Sequence, residues 1–116
     1  MSDESIAKKL RRAKEMACTI LMKAGYRIEK THNATFCLTA MRESEWRIVA
    51  IGIREALKSK LFDEQRKKLE SLPVPDPKLI QKEIWIRETG EHNFKIYIWK
   101  NNAWLDEEMK PAVILQ

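Results

Sequence analysis

The chain has 116 residues, 34% of them charged and 44% hydrophobic, with a formal net charge of +5. That length suits a single core and is too short to divide sensibly in two, so residues 1–116 are expected to form one domain. No apolar run approaches the ~20 residues that span a bilayer, and Met1-Ser-Asp-Glu4 lacks the basic-then-apolar order of a secretory leader; the expectation is a cytoplasmic protein with no membrane partner. Cys18 and Cys37 form no CxxC pair, and His32 and His92 are too few to complete a structural zinc site, so reduced thiols packed as small hydrophobes are expected.

The positive charge is concentrated at the start of the chain. Residues 1–30 hold eight Lys and Arg against four acids, whereas residues 101–116 hold Asp106, Glu107 and Glu108 against Lys110. A basic end favours polyanion contact, although basic solvated helices are common.

Ile6, Leu10, Ala13, Ala17, Ile20, Leu21 and Ala24 recur at steps of three and four, which places them on one face of a helix that Gly25 should stop. Lys8, Arg11, Arg12 and Glu15 fall off that face and should meet water. Tyr26-Arg-Ile-Glu-Lys30 alternates as a short strand, and Thr31-His-Asn-Ala34 reads as a turn. A second strand, Thr35 to Met41, puts Phe36, Leu38 and Ala40 on one face and Thr35, Cys37, Thr39 and Met41 on the other. After the turn at residues 42–45, Ile48 to Ile53 is apolar on both faces, as a central strand covered on both sides would be.

A second helix is predicted over Asp63 to Leu72, ended by the three prolines within Pro73-Val-Pro-Asp-Pro77. Two further strands, Glu83 to Arg87 and Phe94 to Trp99, are joined as a hairpin. Asn101-Asn102 marks a turn. The apolar Ala112 to Leu115 is expected to pack back or to add an edge strand.

The order αβββαβ with an extra C-terminal hairpin strand describes an α/β fold, a mixed sheet flanked by helices. Together with Ala24-Gly-Tyr-Arg-Ile28 at the first helix-to-strand junction and the progression from Phe36-Cys-Leu-Thr-Ala40 into Trp46-Arg-Ile-Val-Ala-Ile51, it resembles the restriction-endonuclease-like PD-(D/E)XK superfamily, and within it small Holliday-junction-resolvase-like domains. The resemblance implies a metal-dependent nuclease frame over roughly residues 5–100. In such a frame a carboxylate and a lysine two residues later share one strand face and reach a metal and the scissile phosphate. An aspartate on the neighbouring strand completes a site for magnesium, which takes hard oxygen ligands.

At those three places this sequence carries Cys37, Ala50 and Gly52. Ala50 and Gly52 offer no side-chain donor, and the sulfur of Cys37 is a soft ligand that suits magnesium poorly. Glu55, Glu64 and Lys67 are the alternative if the catalytic roles have moved, and only then would a magnesium cofactor be implied; otherwise they are solvated charges with helical partners. His32 and His92 lack a nucleophile arranged beside them, and Gly25, Gly52 and Gly90 are too isolated to make a phosphate loop. Tyr97 and Trp99, in register with Lys95, could stack bases, or could pack on Trp104 and the terminal apolar segment.

The expectation is therefore a nuclease-like protein without cofactor or catalysis that holds DNA or another nucleic acid through Lys8, Arg11, Arg12, Arg66, Lys67 and Lys68. The same reading includes an accessory role beside a nuclease partner subunit; the alternatives are an active metal-dependent endonuclease with relocated residues, and a protein-interaction module without DNA affinity, a homodimer through the edge of the Phe94 to Trp99 hairpin.

Overall fold

Ser5 opens the first helix, α1 (Ile6–Lys23), by accepting the Lys8 backbone N–H on its hydroxyl at 3.2 Å. At the other end Gly25 takes φ +92°, and the N–H groups of Gly25 and Tyr26 return to the carbonyls of Met22 and Leu21, each at 3.0 Å. That closure needs a left-handed residue, which glycine supplies without a Cβ penalty. The computed structural model describes residues 5–30, 37–74, 76, 78–88, 90 and 92–112. The expected turn at 31–34, with His32, the first residues of the expected second strand and most of the apolar C-terminal segment lie outside the described residues.

Six strands form one mixed sheet in chain order: β1 (Arg27–Lys30), β2 (Cys37–Arg42), β3 (Glu45–Ile53), β4 (Ile80–Arg87), β5 (Phe94–Lys100) and β6 (Ala103–Leu105). All neighbours are antiparallel except β3 and β4, which run parallel from Trp46 against Ile80 to Ile53 against Arg87. A parallel pair needs a crossover. Here it consists of a 3₁₀ turn at Arg54–Ala56 and α2 (Lys60–Ser71), which starts three residues earlier than predicted because the Ser59 hydroxyl accepts the Phe62 N–H at 3.1 Å.

The two helices lie on opposite faces of the sheet. On one face Leu10, Ala13, Ala17 and Leu21 of α1 pack with Leu38, Ala40, Val49, Ile51 and Trp85. On the other, Phe62 and Leu69 of α2 pack with Ala50, Ile84, Ile86 and Trp104. The predicted αβββαβ order and the interior position of β3 are observed, β3 lying between the antiparallel β2 and the parallel β4.

The predicted dimer edge is covered in part. Asn101 and Asn102, at φ +54° and +60°, make a tight hairpin that folds β6 against Ile98–Lys100 of β5, and Leu105 in turn bridges to Pro111. Trp99 and Trp104 meet across this pairing with ring centroids 5.0 Å apart.

Candidate nucleic-acid interface

The apolar stripe that seats α1 on the sheet turns its basic residues outward. Over Ile6–Lys23 the helix carries six cations (Lys8, Lys9, Arg11, Arg12, Lys14 and Lys23) against Glu15 alone. Lys8, Arg11 and Arg12 are exposed and lie three and four residues apart, so they share one side of the helix.

Lys9 turns toward the sheet and pairs with Glu55 at 3.1 Å. With Arg12 it borders a cleft of about 170 Å³ at the C-terminal ends of β3 and β4, closed on the strand side by Ile53, Arg87 and Glu88. Arg54 grips Glu88 with two hydrogen bonds, 2.9 Å from Nε and 2.5 Å from Nη2, and Lys95 approaches the same carboxylate at 3.5 Å. The Arg54 hydrogen bonds hold Glu88 below the usual carboxylate range, and they raise Arg54 in return. Where β3 and β4 end side by side, α1 therefore adds cations to a rim that already holds paired charges.

The second predicted basic cluster has a different character. Arg66 donates to Asp63 and to Glu70, each at 2.6 Å, and Glu70 also accepts the Trp104 indole N–H at 2.7 Å. Lys67 pairs with Asp63 at 3.0 Å, and hydrogen bonds from Lys67 and Arg66 keep Asp63 below its usual range. Lys68 is exposed. Because α1 and α2 cover opposite faces, the six candidate cations divide into two sets of three that do not share a surface.

Ala50 and Gly52, two of the three positions compared with the nuclease motif, lie in the core. Cys37 and Ala50 are backbone partners on adjacent strands. Ala50 is buried among Leu57, Phe62, Leu69, Ile84 and Ile86, and a Cβ on Gly52 would lie 2.8 Å from Phe62 Cε1 and 2.9 Å from Ile86 Cδ1. Of the relocated candidates, Glu55 is tied to Lys9 on the α1 side, while Glu64 is exposed on α2 and Lys67 is held by Asp63. Glu55 and Lys67 thus each pair with an oppositely charged side chain outside the candidate trio. Among the described residues no group of three or more His, Cys, Asp or Glu side chains is placed to hold a metal ion. His92 is exposed beside Arg12, Glu15 and Thr19 at a shallow groove along α1.

Sequence reasoning missed two buried charges. Glu83, only 1% exposed, accepts the Trp85 indole N–H at 2.8 Å and the Gln81 amide at 2.5 Å, and pairs with Arg47 Nε at 3.3 Å. Arg47 lies over the Tyr26 ring, as does Arg42 nearby, with guanidinium carbons 5.0 and 4.5 Å from its centroid. The Tyr26 hydroxyl donates to Glu45 at 3.0 Å; burial first, and this bond second, raise the tyrosine pKa. Lys82, on the opposite face of β4, is 7% exposed and donates to the Glu70 carbonyl at 3.0 Å. The available signal was a strand in which Lys82 and Glu83 stand directly before the apolar Ile84-Trp-Ile86, but that pattern does not disclose which partners meet them.

The residues thus define an α/β domain with a six-stranded mixed sheet, one helix on each face and a cationic helix surface beside the ends of its parallel strand pair. No protein-family model matches the sequence, and no curated protein and no solved structure matches it either. No helix among the described residues is long and apolar enough to cross a membrane.

Proposed function

We propose that this protein is a non-catalytic nucleic-acid-binding protein, a nuclease-like accessory factor that holds the phosphate backbone along the outer side of α1. The observation that supports this reading is the six-to-one excess of cations over acids on that helix, with Lys8, Arg11 and Arg12 exposed on one side. Such side chains position a polyanion without reading its sequence. The reading narrows the interface to the α1 side, since Arg66 is occupied by Asp63 and Glu70 on the opposite face. It requires no metal: the strand positions that would serve a nuclease are occupied by Ala50 and Gly52 beneath Phe62. We assign it to the cytoplasm, in keeping with the free, buried thiol of Cys18.

Titration of duplex DNA at increasing salt tests the proposal. Each neutralised phosphate contributes about −0.9 to the slope of log K against log salt, so the double substitution Lys8→Glu, Arg11→Glu should weaken binding to all sequences alike and flatten the slope by roughly two units. A folded protein that fails to bind DNA at low salt defeats the reading, and leaves a protein-interaction module, as a homodimer or beside a nuclease partner subunit, in its place.

A further inference from the structure

A groove lies away from α1, across the start of β4 and the end of β5. Its volume of about 850 Å³ falls in the range of roughly 300–1,000 Å³ that small-molecule sites occupy. Leu72, Val74, Trp99 and Met109 supply apolar wall. Leu72 and Met109 are 40% and 48% exposed, so the apolar wall is open to a ligand from solvent. Among the described residues the charged groups on the lining are Lys78, Lys82 and Lys100, with no carboxylate.

Lys82 is the informative member of that set. A lysine is seldom buried unless paired with an acid, yet this one is 7% exposed and the hydrogen bond it makes is to a neutral carbonyl, that of Glu70. Arg66 and Trp104 already hold the Glu70 carboxylate. An ammonium has three protons to donate. A buried cation lining an apolar groove, with two more cations at the same groove, is a receptor for one anionic head attached to an apolar body.

We propose that this groove binds a monomeric amphipathic anion, a carboxylate or phosphate ester bearing an apolar chain or ring. The head is held by Lys82, with Lys78 and Lys100 adding charge, and the apolar body lies against Leu72, Val74, Trp99 and Met109. Burial lowers the Lys82 pKa, with the nearby Glu70 only partly opposing it, so the ammonium is under-compensated as it stands and an anion in the groove would restore its balance. This site is independent of the nucleic-acid reading, because α1 contributes nothing to its lining.

The test is a calorimetric titration of the full chain with dodecanoate below its micelle concentration, beside dodecanol and inorganic phosphate. Saturable binding of dodecanoate is expected, at least tenfold tighter than either control. Lys82→Met should weaken it at least tenfold and Lys100→Ala severalfold, while Lys8→Glu, Arg11→Glu should leave it unchanged. Lys100 is exposed, so its variant keeps the test interpretable should the buried substitution disturb folding. The proposal is overturned if dodecanoate does not bind saturably, if dodecanol or phosphate binds as tightly, or if dodecanoate affinity is indifferent to both lysine substitutions.

Discussion

The Phe62 ring lies so close to Gly52 that a Cβ built on the glycine would come within 2.8 Å of Phe62 Cε1. The missing Cβ of Gly52 therefore lets α2 dock on β3. Gly52→Ala should cost about 1–3 kcal/mol by overpacking. Combining it with Phe62→Leu should cost less than the sum of the two single changes, because the second opens the space that the first needs. Denaturant titration of the four proteins of this cycle measures the coupling; strict additivity would contradict the contact.

The same packing predicts the outcome of an attempt to rebuild catalysis. The purified protein should not cleave duplex, single-stranded or branched DNA with Mg²⁺ or Mn²⁺, and Gly52→Lys should unfold it rather than activate it. Cleavage that copurifies with the protein and disappears on substitution of Glu55, Glu64 or Lys67 would refute this.

Ile51 projects from β3 into the layer beneath α1 and is 1% exposed. Ile51→Ala should destabilise the fold by ~2–4 kcal/mol, the transfer of the lost carbons plus the cavity they leave. Equilibrium unfolding in urea reports the change as a lower midpoint with an unchanged slope.

The Arg54–Glu88 pair gives a pH signature with a definite sign. Glu88 is held below the usual carboxylate range in the fold, chiefly by the Arg54 hydrogen bonds, so its contribution is complete above the unfolded value of ~4.3 and is lost as pH falls through the folded one. Both side chains keep contact with water, at 33% and 23% exposure, which limits the pair to about 0.5–1 kcal/mol at neutral pH. Glu88→Gln should show that deficit at pH 7, and the difference from the wild type should close as acid protonates Glu88. Unfolding curves from pH 7 down to pH 3 test it; a difference independent of pH would assign the loss to packing.

Periodicity was enough for both helices and the first five strands, but not for the 3₁₀ turn at Arg54–Ala56 or the three-residue β6. Leu10, Ala13, Ala17 and Leu21 announce a helix seated on one face, Ile48 to Ile53 announces a strand covered on both, and Asn101-Asn102 announces a turn, because each pattern depends on residues a few positions apart. Element ends were less legible. β3 extends back to Glu45 by pairing with Arg42 of β2, and β4 to Ile80 by pairing with Trp46 of β3, in a stretch where neither strand is continuously apolar.

What the sequence determined by itself was the inventory: a cationic first helix, an apolar central strand, and no side-chain ligand at positions 50 and 52. The tertiary structure decided which of these share a surface. It set Lys8, Arg11 and Arg12 on one face and Arg66 on the other, covered the last residues of the β5 edge with β6, and buried Glu83 beside Arg47 and Lys82 beside Glu70. Those outcomes rest on contacts between residues remote along the chain. Local periodicity specifies the face of its own element but not the partner that covers it, and burial of a charge depends on that partner.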